Sequence, residues 1–214
     1  MTKSVTTRAA RRRTTRWPVV AGAVLLVALP ARGDVSMLLT PPVQSELTLI
    51  DAPPSVSSLN TAFTTPDLAQ SSLGLIALDP TVDAGVRIRA IRTLAGYCPQ
   101  TGCTEGPVHQ TLNQLVVAYQ LLAAPTGKDV MLLRAAVETM GVAQVVLAGD
   151  IPPLKSLLAH PSRDVRATVV RALRTTCDAQ VLAALVSLHI TEPTAQVRGE
   201  LVAAEQLLDA CIPK

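Results

Sequence analysis

The sequence predicts an all-α protein: a short alpha-alpha superhelix of about four helical pairs, preceded by an export signal and an extended arm. Three observations predict it. Of 214 residues, 49% are hydrophobic but only 2% aromatic, so any core is built from Leu, Ala and Val. From about residue 71 these residues recur three or four positions apart, the spacing of one helix face. The pattern also repeats. Segments 79–94, 125–140, 161–176 and 193–208 each join a Pro or polar turn, an anchor valine and an apolar-faced helix. The anchors Val86, Val130, Val165 and Val197 lie 44, 35 and 32 residues apart, room for two antiparallel helices and their turns. Such composition excludes a wholly disordered chain and argues against an aromatic-rich sandwich or propeller.

The chain begins with a basic stretch, Lys3, Arg8, Arg11, Arg12, Arg13 and Arg16, without an acid. The apolar run Trp17–Pro30 comes next, the layout of a signal peptide. Ala31-Arg32-Gly33 places small residues at −3 and −1 of a cut before Asp34. The alternative is a retained N-terminal anchor, although the run is shorter than the roughly 17–25 apolar residues that span a bilayer. Without residues 1–33, 12 basic residues face 16 acidic ones, and the net charge moves from +3 to −4. A nucleic-acid role inferred from the whole chain's basicity would therefore rest on the export signal. No cysteine lies near the cut. The four present, Cys98, Cys103, Cys177 and Cys211, are an even set in an exported chain, which favours disulfides; three pairings are open. Cys98 and Cys103 are spaced C-x4-C rather than the C-x2-C of a thioredoxin-like redox site.

Residues 34–70 carry Pro41-Pro42, Pro53-Pro54 and Pro66, many Ser and Thr, and no Lys or Arg. Paired prolines oppose long helices, so this part reads as a Pro/Ser/Thr-rich linker or extended arm that packs along the domain through Met37–Leu39 and Leu47–Ile50. Residues 71–214 form the helical-repeat domain. Its first helices are expected at about 70–78, 108–123, 151–159 and 179–189, the third opened by Pro152-Pro153. Its second helices are expected at about 83–96, 129–141, 163–175 and 194–208. In the third pair, Val165, Val169, Ala172 and Leu173 make the buried stripe, with Thr168 at its edge. Asp129 and Ser162 are placed as helix caps. Residues 142–149 either finish a helix or form a separate turn.

Residues 157–166 (LLAHPSRDVR), followed by Ala167, Ala172 and Leu173, resemble a HEAT repeat. Gly85-Val86-Arg87 with Ala90 and Leu94 looks like the same unit with a longer turn, and Gln196-Val197-Arg198 with Ala203 and Leu207 like a third copy. Lys128-Asp129-Val130 keeps the acid but has Met131 in place of arginine. The resemblance spans about residues 70–210 and implies stacked helix pairs with an inter-repeat polar ladder. That ladder would be carried here by Arg87, Asp129, Asp164, Arg166 and Arg198. In the repeat alignment Cys98 and Cys177 each follow their anchor valine by 12 residues and Cys211 by 14, so the expected pairs are Cys98–Cys103 and Cys177–Cys211.

Arg89 and Arg92, beside Arg87, form one basic group; Arg163, Arg171 and Arg174, beside Arg166, form another. A stack of pairs would align them into a binding stripe for an acidic partner, a protein with an acidic segment or an anionic polysaccharide. The bland alternative is ladder residues and solvated helix faces. His109, His160 and His189 fall in different repeats at helix ends or turns, with no reason to converge on a metal. No Ser, His and acid arrangement, phosphate loop or HExxH motif stands out. The sequence therefore predicts a non-catalytic, cofactor-free module, periplasmic or secreted, that binds another protein without contacting nucleic acid. The alternative is a membrane-tethered spacer or assembly subunit, its membrane contact made only through residues 17–30 if these are retained.

Overall fold

The computed structural model describes residues 34–49, 52–98, 103 and 106–213. The proposed signal, residues 1–33, lies outside them. Among the described residues there are helices and no strand. The α-helices are α1 (Pro41–Thr48), α2 (Val56–Ala62), α3 (Pro66–Leu78), α4 (Ala84–Leu94), α5 (Pro107–Gln120), α6 (Gly127–Val142), α7 (Ile151–Ser156), α8 (Arg163–Leu173), α9 (Ala179–Thr191) and α10 (Ala195–Cys211). Short 3-10 turns precede α1, extend α4 and flank α7.

The region expected to be an extended arm is helical, a correction to the sequence reading. Pro41 and Pro66 stand at the first positions of α1 and α3, where a missing N–H breaks no helical bond. Thr65 caps α3 by accepting from Leu68 N, and Ser55 caps α2 by accepting from Ser58 N. Only Pro53-Pro54 lies in non-helical chain. Val43, Leu47 and Leu59 are fully buried, and α1 packs on α4, α2 on α3. These residues therefore belong to the core and cover one end of the repeat region.

Within the repeat region, helices pack pairwise: α3 on α4, α5 on α6, the 151–159 segment on α8, and α9 on α10. The second members also pack on one another in chain order, α4 on α6, α6 on α8 and α8 on α10, and form a B row. Of the first members, α3 packs on α5 and α7 on α9, the A row. Gln120 Nε2 donates to Ser156 Oγ and joins its two halves. Val165, Val169, Ala172 and Leu173 are buried as expected, and Thr168 is buried with them, its hydroxyl donating to the Asp164 carbonyl at 2.8 Å. Each such valine or leucine side chain contributes about 1.5–3 kcal/mol on burial.

Small residues set how closely the rows approach. A Cβ on Gly141 of α6 would stand 2.9 Å from the Ala172 Cα of α8, so this crossing needs glycine. Helix α6 then ends on Gln144 in the left-handed region, φ 52°, with Val145 N donating to Met140 O at 3.1 Å. That closure satisfies orphan carbonyls and buries Val145. Residues 143–147 therefore form a separate connector, one of the two options the sequence left open. The cap of α6 differs from expectation as well. Thr126 is the N-cap, and Asp129 is its capping-box partner, accepting from Thr126 N at 2.8 Å and from the Thr126 hydroxyl at 2.7 Å. Ser162 holds the N-cap position of α8 without a side-chain cap bond.

Candidate functional site: the polar ladder and the B-row face

Arg166, near the start of α8, makes the densest set of polar contacts. Its Nη1 donates to the carbonyls of His160 (2.9 Å) and Pro161 (3.1 Å) in the turn before its own helix. Its Nε and Nη2 grip both oxygens of Glu192, at 2.8 and 2.7 Å, in the turn of the next pair. The Glu192 side chain is 1% exposed, and Thr194 N donates to it at 3.0 Å. The Arg166 guanidinium, assisted by Thr194, holds the Glu192 carboxyl down at about 2. The same pairing pushes Arg166 up. Arg198, 32 residues after Arg166, repeats half of this arrangement: its Nη1 donates to the Glu192 and Pro193 carbonyls, both at 2.9 Å. One clasp thus recurs with the sequence period.

The ladder has other rungs. Arg87 is buried; its Nε donates to Ala77 O at 2.9 Å and its Nη2 to the Tyr119 hydroxyl at 2.7 Å, joining α4 to the ends of α3 and α5. Asp129 feels Arg87 electrostatically, but hydrogen bonds from Thr126 are the main cause that lowers its carboxyl. Asp164 does not meet a ladder arginine. It lies 3.8 Å from Arg134 of α6 and 3.8 Å from its neighbour Arg163. At the second pair, where Met131 replaces arginine and is half exposed, Arg134 makes the connection instead.

The arginines of the expected binding stripe have diverse partners. Arg89 donates to the Ala52 carbonyl and ties down the N-terminal helices. Arg92 pairs with Glu138 across α4 and α6 at 2.9 Å. Arg171 pairs with Glu200 across α8 and α10 at 2.8 Å and also donates to the Thr168 hydroxyl. Arg163 is largely exposed. Arg174 borders a hollow of about 250 Å³ between α6 and α8, which Glu138, Thr168, Arg171 and Thr175 also line. The stripe residues therefore do not act alike: three join elements, Arg163 is exposed, and Arg174 is half-buried beside the hollow.

The histidines remain apart. His109 Nε2 meets Asp150 Oδ2 at 2.9 Å, and Asp150, 3% exposed, also accepts from Asn113 Nδ2 and Leu147 N at 2.7 and 2.8 Å. This hub pins α5 to the connector between α6 and α7. His189 meets Glu205 at 3.0 Å, between α9 and α10. His160 Nδ1 accepts from Ser162 N at 3.1 Å, and burial pushes its imidazole below the usual range. Among the described residues no group of His, Cys, Asp or Glu is arranged to hold a metal ion.

Cys98 is bonded to Cys103 and Cys177 to Cys211, with Cα–Cα distances of 5.0 and 5.5 Å. The second bond ties the α8–α9 connector to the end of α10. Disulfide-bonded cysteines go with an oxidising compartment. Among the described residues no helix is long and apolar enough to cross a membrane.

Sequence reasoning missed Glu192, Arg134, Glu138, Glu200, Tyr119 and Asp150. A signal existed for Glu192: it precedes Pro193 as His160 precedes Pro161, both in register with the ladder arginines. Comparison with protein-family models, curated proteins and solved structures gave no match.

Proposed function

We propose that the chain is an exported, non-catalytic protein-binding or scaffold module built as a short HEAT-like solenoid. Its B row receives an acidic segment of a partner protein. The observation that carries this reading is the unbroken packing of α4, α6, α8 and α10, with Arg163 and Arg174 presented on α8 and at its end. Repetition of the arginine clasp at a 32-residue interval supports the repeat architecture. The basic-then-apolar N-terminus and the two disulfides support export. A second reading, a membrane-tethered spacer, is favoured by the apolar run Trp17–Pro30 if it is retained.

Two measurements test these readings. Intact mass of the protein from its own cells, with and without alkylation, yields a chain starting at Asp34 with four protected thiols under the first reading. A full-length mass supports the tether, and four free thiols overturn export. Titration of an oligoglutamate peptide into the protein should show binding that falls at least about 10-fold in the R163E/R174E variant and weakens with salt. Equal affinity in both proteins, or no binding at low ionic strength, overturns the acidic-partner reading.

A further inference from the structure

Charge is divided unequally between the two rows. Each B-row helix carries three or four Asp, Glu, Lys or Arg residues, whereas α3, α5, α7 and α9 together carry only Asp67 and Lys155. The outward face of the A row is nevertheless exposed and studded with large apolar side chains. Leu68 and Leu75 on α3 are 52% and 49% exposed, Val117 on α5 41% with Leu121 just after it at 76%, and Val186 and Ile190 on α9 45% and 83%. Within each helix these residues are spaced by four or seven positions, so each pair shares one face. The B row also exposes apolar side chains, Met131 and Val142 on α6 and Val202 and Leu207 on α10, but each of these two helices carries four charged residues beside them.

We propose that the A row is a self-association surface that docks against the A row of a second copy of this chain. Two features point to a second copy. First, a face almost without charge can meet itself across a two-fold axis without burying unpaired charge or juxtaposing like charges, although the chain beyond residue 33 is acidic overall. Second, the area suffices. Helices α3, α5 and α9 are each about 20 Å long and α7 about 9 Å; at about 10 Å of width per helix they present roughly 600–800 Å², close to what one partner contributes to a standard interface. Depletion of charge with enrichment of apolar side chains is the composition of an interface core.

This inference is independent of the acidic-partner reading, which rests on the B row. The test is sedimentation velocity of the protein purified from its own cells, across a dilution series. A dimer that dissociates on dilution is expected. Leu121→Glu and Ile190→Glu, both at highly exposed positions, should each weaken self-association by about 30-fold or more while leaving the melting curve intact. Met131→Glu and Val142→Glu on the B row should leave it unchanged. A monomer at all concentrations up to about 100 µM overturns the proposal, since that would put the association well short of a specific dimer. So does a dimer insensitive to both A-row substitutions. Phosphatidylcholine vesicles are included as a separate arm: a monomer that binds them, and loses binding in the same variants, would assign the face to lipid instead.

Discussion

At the scale of single residues, Glu192 is the clearest determinant. Its carboxyl sits in a turn, almost without solvent contact, gripped by Arg166 and hydrogen-bonded to Thr194. Because its folded value, about 2, lies below its ordinary 4.5, its contribution is complete above about pH 4.5 and is lost as pH falls toward 2. His160 acts in a different window. Burial lowers its imidazole below 6.5, so the unfolded chain binds that proton more readily, and stability declines as pH falls from about 6.5 to the folded value. Acid titration of the midpoint should therefore show two declines. Glu192→Gln should shrink the lower one, leaving the part that Asp129 carries, and cost about 1–3 kcal/mol at neutral pH through loss of charge-assisted hydrogen bonds. A variant with an unchanged acid limb would show that the clasp is not what acid breaks. Arg166 is legible as a ladder residue from its place after the anchor valine. Its partner is harder to read: the register of Glu192-Pro193 with His160-Pro161 marks the position, but not that the acid reaches back 26 residues to the preceding pair.

At the scale of elements, the eight repeat-region helices follow the apolar period, and their positions agree with the sequence reading to within a few residues. Helix placement fails only in residues 34–70, and the cap of α6 is one turn off, on Thr126 rather than Asp129. In residues 34–70 prolines read as breakers, yet Pro41 and Pro66 open helices that Val43, Leu47, Ala69 and Leu73 bury. Proline at a helix start and proline in a linker look alike until tertiary burial decides between them. Close crossings are also invisible in the sequence, since a glycine in a helix signals neither contact nor exposure by itself. Gly141 faces Ala172 with no space for a side chain, whereas Gly199 in α10 has open space around it. Gly141→Val should therefore destabilise by about 1–3 kcal/mol through forced separation of α6 and α8. Gly199→Ala should stabilise by about 0.5–1 kcal/mol through helix propensity. Thermal or urea unfolding of both variants checks the pair, and equal signs would show that packing does not control the α6–α8 crossing.

At the scale of the molecule, stability in a chain of stacked pairs is a sum of pair and neighbour contributions, and a terminal pair has a neighbour on one side only. Among the described residues α9 and α10 are in that position, and the Cys177–Cys211 bond anchors them across 34 residues. Its removal should cost about 2–4 kcal/mol. Hydrogen exchange after reduction should then show α9 and α10 losing protection first, with α3 to α6 holding theirs. Uniform loss along the chain would mean that the stack unfolds as one unit. The two disulfides also differ in when they become available. A chain made from its N-terminus presents Cys103 five residues behind Cys98, so that loop closes locally and early. Cys177 has to wait for Cys211, which emerges only after two more helices. Of the two bonds, Cys177–Cys211 is thus the later one, and it forms only once α10 has reached its place beside the α8–α9 connector.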